Sequence, residues 1–98
     1  MKVIWTEQAL VRLIEVQDFI ARNNPGAADR LVRRIVERGD GLSKFSEIGR
    51  TVPELPGTGV RELIEGRFRI VYRVQAKVIQ VLTVFEGHRQ FPREDVDR

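Results

Sequence analysis

The 98-residue sequence has no cysteine and only one histidine, one tryptophan, one tyrosine and one methionine. Without cysteine no disulfide staples the fold, and a single histidine with no thiol argues against a zinc site. No metal and no cofactor is expected. No apolar run approaches the roughly 20 residues a membrane-spanning helix needs, so no membrane segment is expected either. The amino terminus enters a strand pattern and then an amphipathic one directly, without the features of a secretory signal. What is present is an ordinary 42% of apolar residues, enough for one two-layer core in a single domain over 1–98 and little surface for a second site. A net charge of +3 and a pI near 9.9 favour an acidic partner, nucleic acid or protein.

Lys2 to Trp5 reads as a short strand, stopped by Thr6, whose hydroxyl suits the N-cap of a helix with Glu7 in its first turn. Leu10, Leu13, Ile14, Ile20 and Ala21 recur at helical spacing and predict an inward stripe, with an end near Asn23. Asn24 and Pro25 then supply an N-cap and a first-turn proline for a second helix, so the two helices form a hairpin. Its inward side is Ala28, Leu31, Val32 and Ile35; its outer side carries Arg30, Arg33, Arg34 and Arg38, solvated or docked to an acidic partner. Leu42 and Phe45 keep the apolar spacing past Gly39 and Gly41, which predicts continuation to about Lys44. One of these glycines would mark a close crossing.

Ser46 to Gly59 is rich in Gly and Pro and has no period, so it reads as a loop. Beyond it, VRELIEGRFRIVYR alternates apolar and basic residues with the period of two of a half-buried strand. Two strands, Val60 to Ile64 and Phe68 to Val74, are joined across Gly66, and a third runs from Val78 to Phe85. Short joints make them antiparallel. One face of the middle strand carries Phe68, Ile70, Tyr72 and Val74 toward the helices. The other carries Arg67, Arg69 and Arg73 around Val71, an expected cationic face for an anion. The same pattern also fits a solvated face with salt bridges to Glu62 and Glu65. The tail from 92 to 98 is charged and expected to fray or form a brief helix.

Three groups invite chemistry: Glu54 on the loop entering the sheet, Arg69 on the middle strand and His88 just past the last one. A carboxylate base, a guanidinium for the phosphorane charge and an imidazole acid are what metal-free RNA cleavage needs. Each also has an ordinary reading, as a solvated loop carboxylate, an exposed strand arginine and a surface histidine. Gly57 to Gly59 lacks the lysine and helix of a phosphate-binding loop.

The segments WTEQAL, DFIARNNPGAADRLVRRI, IGRTVPEL, VRELIEGRFRIVYRV and VLTVFEGHRQ, in that order, resemble the RelE/ParE superfamily of type II toxin–antitoxin toxins over about residues 1 to 91. The resemblance implies an α+β fold of an N-terminal strand, a two-helix hairpin and three antiparallel strands in a twisted sheet. It also implies a cytoplasmic toxin neutralised by a cognate acidic antitoxin, bound in the cleft between the helices and the cationic sheet as a hetero-oligomer. RelE-like members cleave messenger RNA on the ribosome, and by that likeness Glu54, Arg69 and His88 would be base, charge stabiliser and acid. ParE-like members instead inhibit DNA gyrase without nuclease chemistry. The lysines and terminal tyrosine of RelE-like nucleases are absent, with Arg61 and Glu62 in the region of the lysines. Arg50, Arg61, Arg67, Arg73 and Arg89 are the expected contacts to substrate or partner.

Overall fold

The computed structural model describes residues 1–97 as a five-stranded sheet with two helices packed on one face. The order is β1 (Lys2–Trp5), α1 (Glu7–Ala21), α2 (Pro25–Asp40), a 3-10 turn at Gly41–Ser43, then β2 (Arg50–Thr51), β3 (Arg61–Glu65), β4 (Phe68–Val74) and β5 (Val78–Glu86). In space the strands run β1-β5-β4-β3-β2, with β1 parallel to β5 and every other pair antiparallel. The first strand thus lies beside the last, the two helices carry the chain from β1 at one edge of the sheet to β2 at the other, and the α+β arrangement implied by the resemblance is present. No helix among the described residues is long and apolar enough to cross a membrane.

The helix boundaries follow local chemistry. The Thr6 hydroxyl accepts from the Ala9 amide at 3.1 Å and donates to the Val81 carbonyl at 3.0 Å, capping α1 and fastening it to β5. The Asn24 side chain accepts from Ala27 at 3.0 Å with Pro25 in the first turn of α2. That helix stops at Asp40, short of the expected Lys44. Gly41 has room around it, but Gly39 does not: a Cβ there would lie 2.4 Å from the Trp5 ring, so the indole takes that space and closes the crossing of β1 and α2. Leu42 reaches the core from the 3-10 turn and so keeps its apolar spacing without a continuous helix.

The inward stripe of α1 is rotated from the expected one. Ala9, Leu13, Val16 and Ile20 face the sheet, whereas Leu10 is 46% and Ile14 56% exposed. Fully buried Ala9 takes the inward place that the expected stripe gave to Leu10. On β4 the helix-facing row is as expected, with Phe68, Ile70, Tyr72 and Val74 all in or against the main core.

The opposite face of the sheet is not an open cationic surface. A second apolar cluster of Val52, Leu55, Val60, Val71, Leu82, Phe85, Phe91 and Val96 covers it, built from the 52–60 loop, the strands and the tail. A bulge opposite Val71 and Tyr72 feeds it, because Leu82 is the extra residue between Val81 and Thr83. Over 92–97 the tail takes the second of its two expected forms. It forms a 3-10 turn at Arg93–Asp95, and Val96 is buried; Arg98 lies outside the described residues. The cause is polar as well as apolar: the fully buried Asp95 carboxylate accepts from Thr83 Oγ1 at 2.8 Å and from Arg12 Nε at 2.7 Å. The loop expected over 46–59 also holds β2, whose two residues pair with Arg61 and Glu62.

Candidate functional site

Arg69 sits at the centre of this second face. Its partner across the β3–β4 ladder is Ile64, which places Glu62 on the same face one diagonal away. The Arg69 Nε donates to Glu62 Oε1 at 2.6 Å, while Nη1 and Nη2 donate to Glu54 Oε2 and Oε1 at 2.8 and 2.6 Å. The second is the fork-to-fork geometry of a strong guanidinium–carboxylate pair. Phe85 and Phe91 flank the guanidinium with ring centroids 4.9 and 5.5 Å from Cζ. The two rings meet each other edge to face at 5.5 Å. Glu62 is closed on its other oxygen by Arg50 at 2.7 Å. Two carboxylates and two guanidiniums therefore form one electroneutral cluster.

Burial grades the cluster. The Glu62 side chain is 0% exposed, Arg69 9%, Glu54 35% and Arg50 58%. Withdrawing two such charges from water is tolerated only because each is fully paired. Among the described residues no buried side-chain nitrogen or oxygen lacks a partner. The Arg69 fork holds the Glu54 carboxyl down at about 2, against its ordinary value of 4.5, and outweighs the opposing effect of burial. Hydrogen bonding to Glu54 in turn raises the Arg69 guanidinium further above its ordinary value. A general base works best near the operating pH. Glu54 is a poor one as it stands.

The expected site residues divide into three groups. Glu54 and Arg69 are brought together. His88 is exposed, and among the described residues its imidazole has no bond to either of them; only its backbone amide is held, by Glu86 Oε1 at 2.7 Å. It remains a neighbour in the chain, since Gly87 packs so closely on the Arg69 stem that a Cβ there would lie 3.3 Å from Arg69 Cδ. Of the expected partner arginines, Arg50 is paired as above, Arg61 Nη1 donates to the Gly49 carbonyl at 2.8 Å, and Arg73 Nη2 donates to the Val96 carbonyl at 3.3 Å. These three hold the fold together. Arg67 and Arg89 stand exposed.

The alternative of salt bridges from the strand arginines to Glu62 holds for Arg69, though in the interior and not on a solvated face, whereas sequence reasoning did not give Phe85 and Phe91 their roles here. The burial of Glu62 was accessible too: on an alternating strand it shares a face with Val60, which is buried, so a carboxylate there calls for a buried cation. Phe91 carried no such signal, because nothing local says that the tail turns back. Among the described residues no three His, Asp or Glu side chains converge in a way that would hold a metal ion.

Residues 3–91 match the sequence model described as the ParE toxin of the type II toxin–antitoxin system parDE. The chain is 34% identical over 96 residues to the putative toxin Y4kP of Sinorhizobium fredii, covering 94% of each. It is 35% identical over 63 residues to toxin RelE2 of Caulobacter vibrioides, 64% of this chain and 67% of that one. Among solved structures it superposes on the chromosomal ParDE TA system from P. aeruginosa with a TM-score of 0.73 and 30% identity, over 88% of this chain and 95% of that chain. The RelBE2 toxin–antitoxin complex of Mycobacterium tuberculosis gives a TM-score of 0.61 at 21% identity, over 87% and 88%, and speaks for the fold alone.

Proposed function

Because the chain belongs to the ParE toxin family of type II toxin–antitoxin systems, we propose that it inhibits growth by binding its target rather than by cutting RNA. The target is DNA gyrase, as the resemblance to ParE-like chains implies, and a cognate antitoxin neutralises the toxin. The observation that carries this reading is the closed state of Arg69. A guanidinium that must meet a scissile phosphate needs free donors toward solvent, whereas this one is 9% exposed and held by Glu54 and Glu62 within an electroneutral cluster. Freeing it would strand a buried carboxylate. The cluster acts as a keystone that ties the 52–60 loop and the tail to the sheet.

The test is induction of the chain in a sensitive host. Expected are growth arrest, trapped gyrase–DNA cleavage complexes and no new 5′ ends in ribosome-bound message by primer extension. New 5′ ends that disappear in Glu54→Gln or His88→Ala would overturn the proposal. They would favour ribosome-dependent cleavage by Glu54, Arg69 and His88, a reading that draws support from the packing of Gly87 on Arg69, which keeps His88 one residue from the cluster.

A further inference from the structure

The end of the sheet where β4 turns into β5 has a composition of its own. Lys2 is level with Val78 in the parallel ladder, so Lys77 in the turn comes level with Met1. The Met1 ammonium donates to the Ser43 carbonyl at 2.9 Å, and Lys44 follows at the same end. Lys2, Lys44 and Lys77 are all the lysines in the chain, so every lysine and the terminal ammonium gather at one pole. All three side chains are exposed, and among the described residues none has an ion pair. Of the carboxylates that flank Lys44 in the chain, Asp40 accepts from the Trp5 indole at 3.1 Å and Glu47 stands exposed.

The stretch from Ser43 to Gly49 crosses this pole from β1 toward β3, and its backbone is pinned along the way. Met1 holds Ser43 at one end, while at the other Arg61 Nη1 donates to the Glu47 and Gly49 carbonyls at 3.4 and 2.8 Å. The Gly49 amide donates to the buried Tyr72 phenol at 2.9 Å, and a Cβ on Gly49 would lie 2.6 Å from the Glu62 carbonyl oxygen. Between these anchors the Ile48 amide closes a turn on the Phe45 carbonyl at 3.2 Å. Yet Phe45 and Ile48 stand 65% and 66% exposed, with Met1 45% exposed at the Ser43 end. A fixed backbone that turns its largest apolar side chains to water is already ordered for a contact.

A polyanion would satisfy the ammonium groups but leave Phe45 and Ile48 in water. A second copy would set its own lysines against these, like charge against like. An apolar centre with a charged rim is the make-up of a protein interface, and the rim that complements this one is acidic. We propose that this pole is the surface by which the chain grips its target, an acidic protein face with an apolar hollow: Phe45 and Ile48 enter the hollow, and Lys2, Lys44 and Lys77 face its carboxylates. This rests on the gyrase reading above and adds which face of the chain, and by which chemistry, meets gyrase. The pole lies at the other end of the β3–β4–β5 meander from the Gly66 turn and His88, so the contact uses neither Arg69 nor His88.

The experiment measures the affinity and association rate of the full chain for DNA-bound gyrase at two salt concentrations, with trapped cleavage complexes as a second readout. Phe45→Ser with Ile48→Ser is expected to weaken binding by about 30-fold or more, as loss of the central anchors does. Lys44→Glu with Lys77→Glu should slow association by about 10-fold and remove most of its salt dependence. Arg30→Glu with Arg33→Glu, on the outer side of α2, should stay within about threefold of the parent, since charges far from a contact contribute little. All of the changed residues are exposed, and an unchanged melting temperature confirms the fold. Folded pole variants that bind gyrase within about threefold of the parent would overturn the pole and leave the gyrase reading intact. A parent chain that binds no gyrase would overturn both. Binding to a short blunt duplex or to anionic phospholipid vesicles that Lys44→Glu with Lys77→Glu abolishes, while gyrase binding is unchanged, would give the pole to a phosphate-bearing partner and equally overturn the proposal.

Discussion

Replacing Arg69 by methionine keeps a long stem between Phe85 and Phe91 and removes the charge. Two carboxylates lose bonds, but unequally. Glu54 is 35% exposed and reaches water, while Glu62 is fully buried and keeps only Arg50, itself 58% exposed. Breaking a buried pair by removing one partner costs about 3–5 kcal/mol, and the surviving Arg50 contact puts this case near the low end, about 3 kcal/mol. In a chain of this size that lowers the melting temperature by about 12–24 °C. The double variant Arg69→Met with Glu62→Met leaves no buried charge, and an apolar replacement of a buried pair is about neutral. It should recover to within about 1 kcal/mol of the parent. Urea unfolding followed by the fluorescence of the single tryptophan, Trp5, measures both. A single variant that costs under about 1 kcal/mol, or a double variant as unstable as the single, would refute the keystone argument. The double variant also separates the two functional readings. Folded but without Arg69, it still arrests growth if binding is the mechanism and loses RNA cleavage if catalysis is.

Acid should act through Glu54. Its folded value of about 2 lies below the ordinary 4.5, so its contribution is complete above about 4.5 and disappears as pH falls through about 2. Discounted for a side chain one-third exposed, Glu54→Gln costs about 1–2 kcal/mol at pH 7, and its urea midpoint converges on that of the parent near pH 2. Gly39→Ala should destabilise by about 1–3 kcal/mol, because the clash with Trp5 exceeds the gain in helix propensity. Gly41→Ala, with nothing within 4 Å and an ordinary backbone, should be neutral or stabilising by up to about 1 kcal/mol, so calorimetry should order the two oppositely. Asp95→Ala removes the acceptor shared by Arg12 and Thr83 and should cost about 2–4 kcal/mol, with the tail amides losing protection in hydrogen exchange before the sheet does.

The helical hairpin and the β3–β4–β5 meander were legible because their signals are local: caps at Thr6 and Asn24, an apolar row on β4, and Gly66 at a positive φ of 60° in its turn. What escaped was set by distant partners. Val71 and Leu82 read as ordinary strand residues until the tail and the 52–60 loop arrive to bury them. Arg69 looked like an outward cation because period two gives the face of a side chain and not what covers that face. The rotation of α1 followed a small residue, Ala9, which hydrophobicity counting passes over. Of the chemical set, the Glu54–Arg69 adjacency and a bridge from the strand arginines to Glu62 were legible; the closure of all of them into one buried cluster was not, because it needs the register of β3 on β4 and the tail that covers it.

The pairing of β1 with β5 carries a consequence for synthesis. Lys2 waits for Val78, and Arg12 waits for Asp95, so each end of the chain is completed by the other. Such contacts span nearly the whole length, and loops that long close late. A chain synthesised only through β4 therefore lacks both the partner of β1 and the second apolar layer, and neither can form until residues 78–96 have emerged.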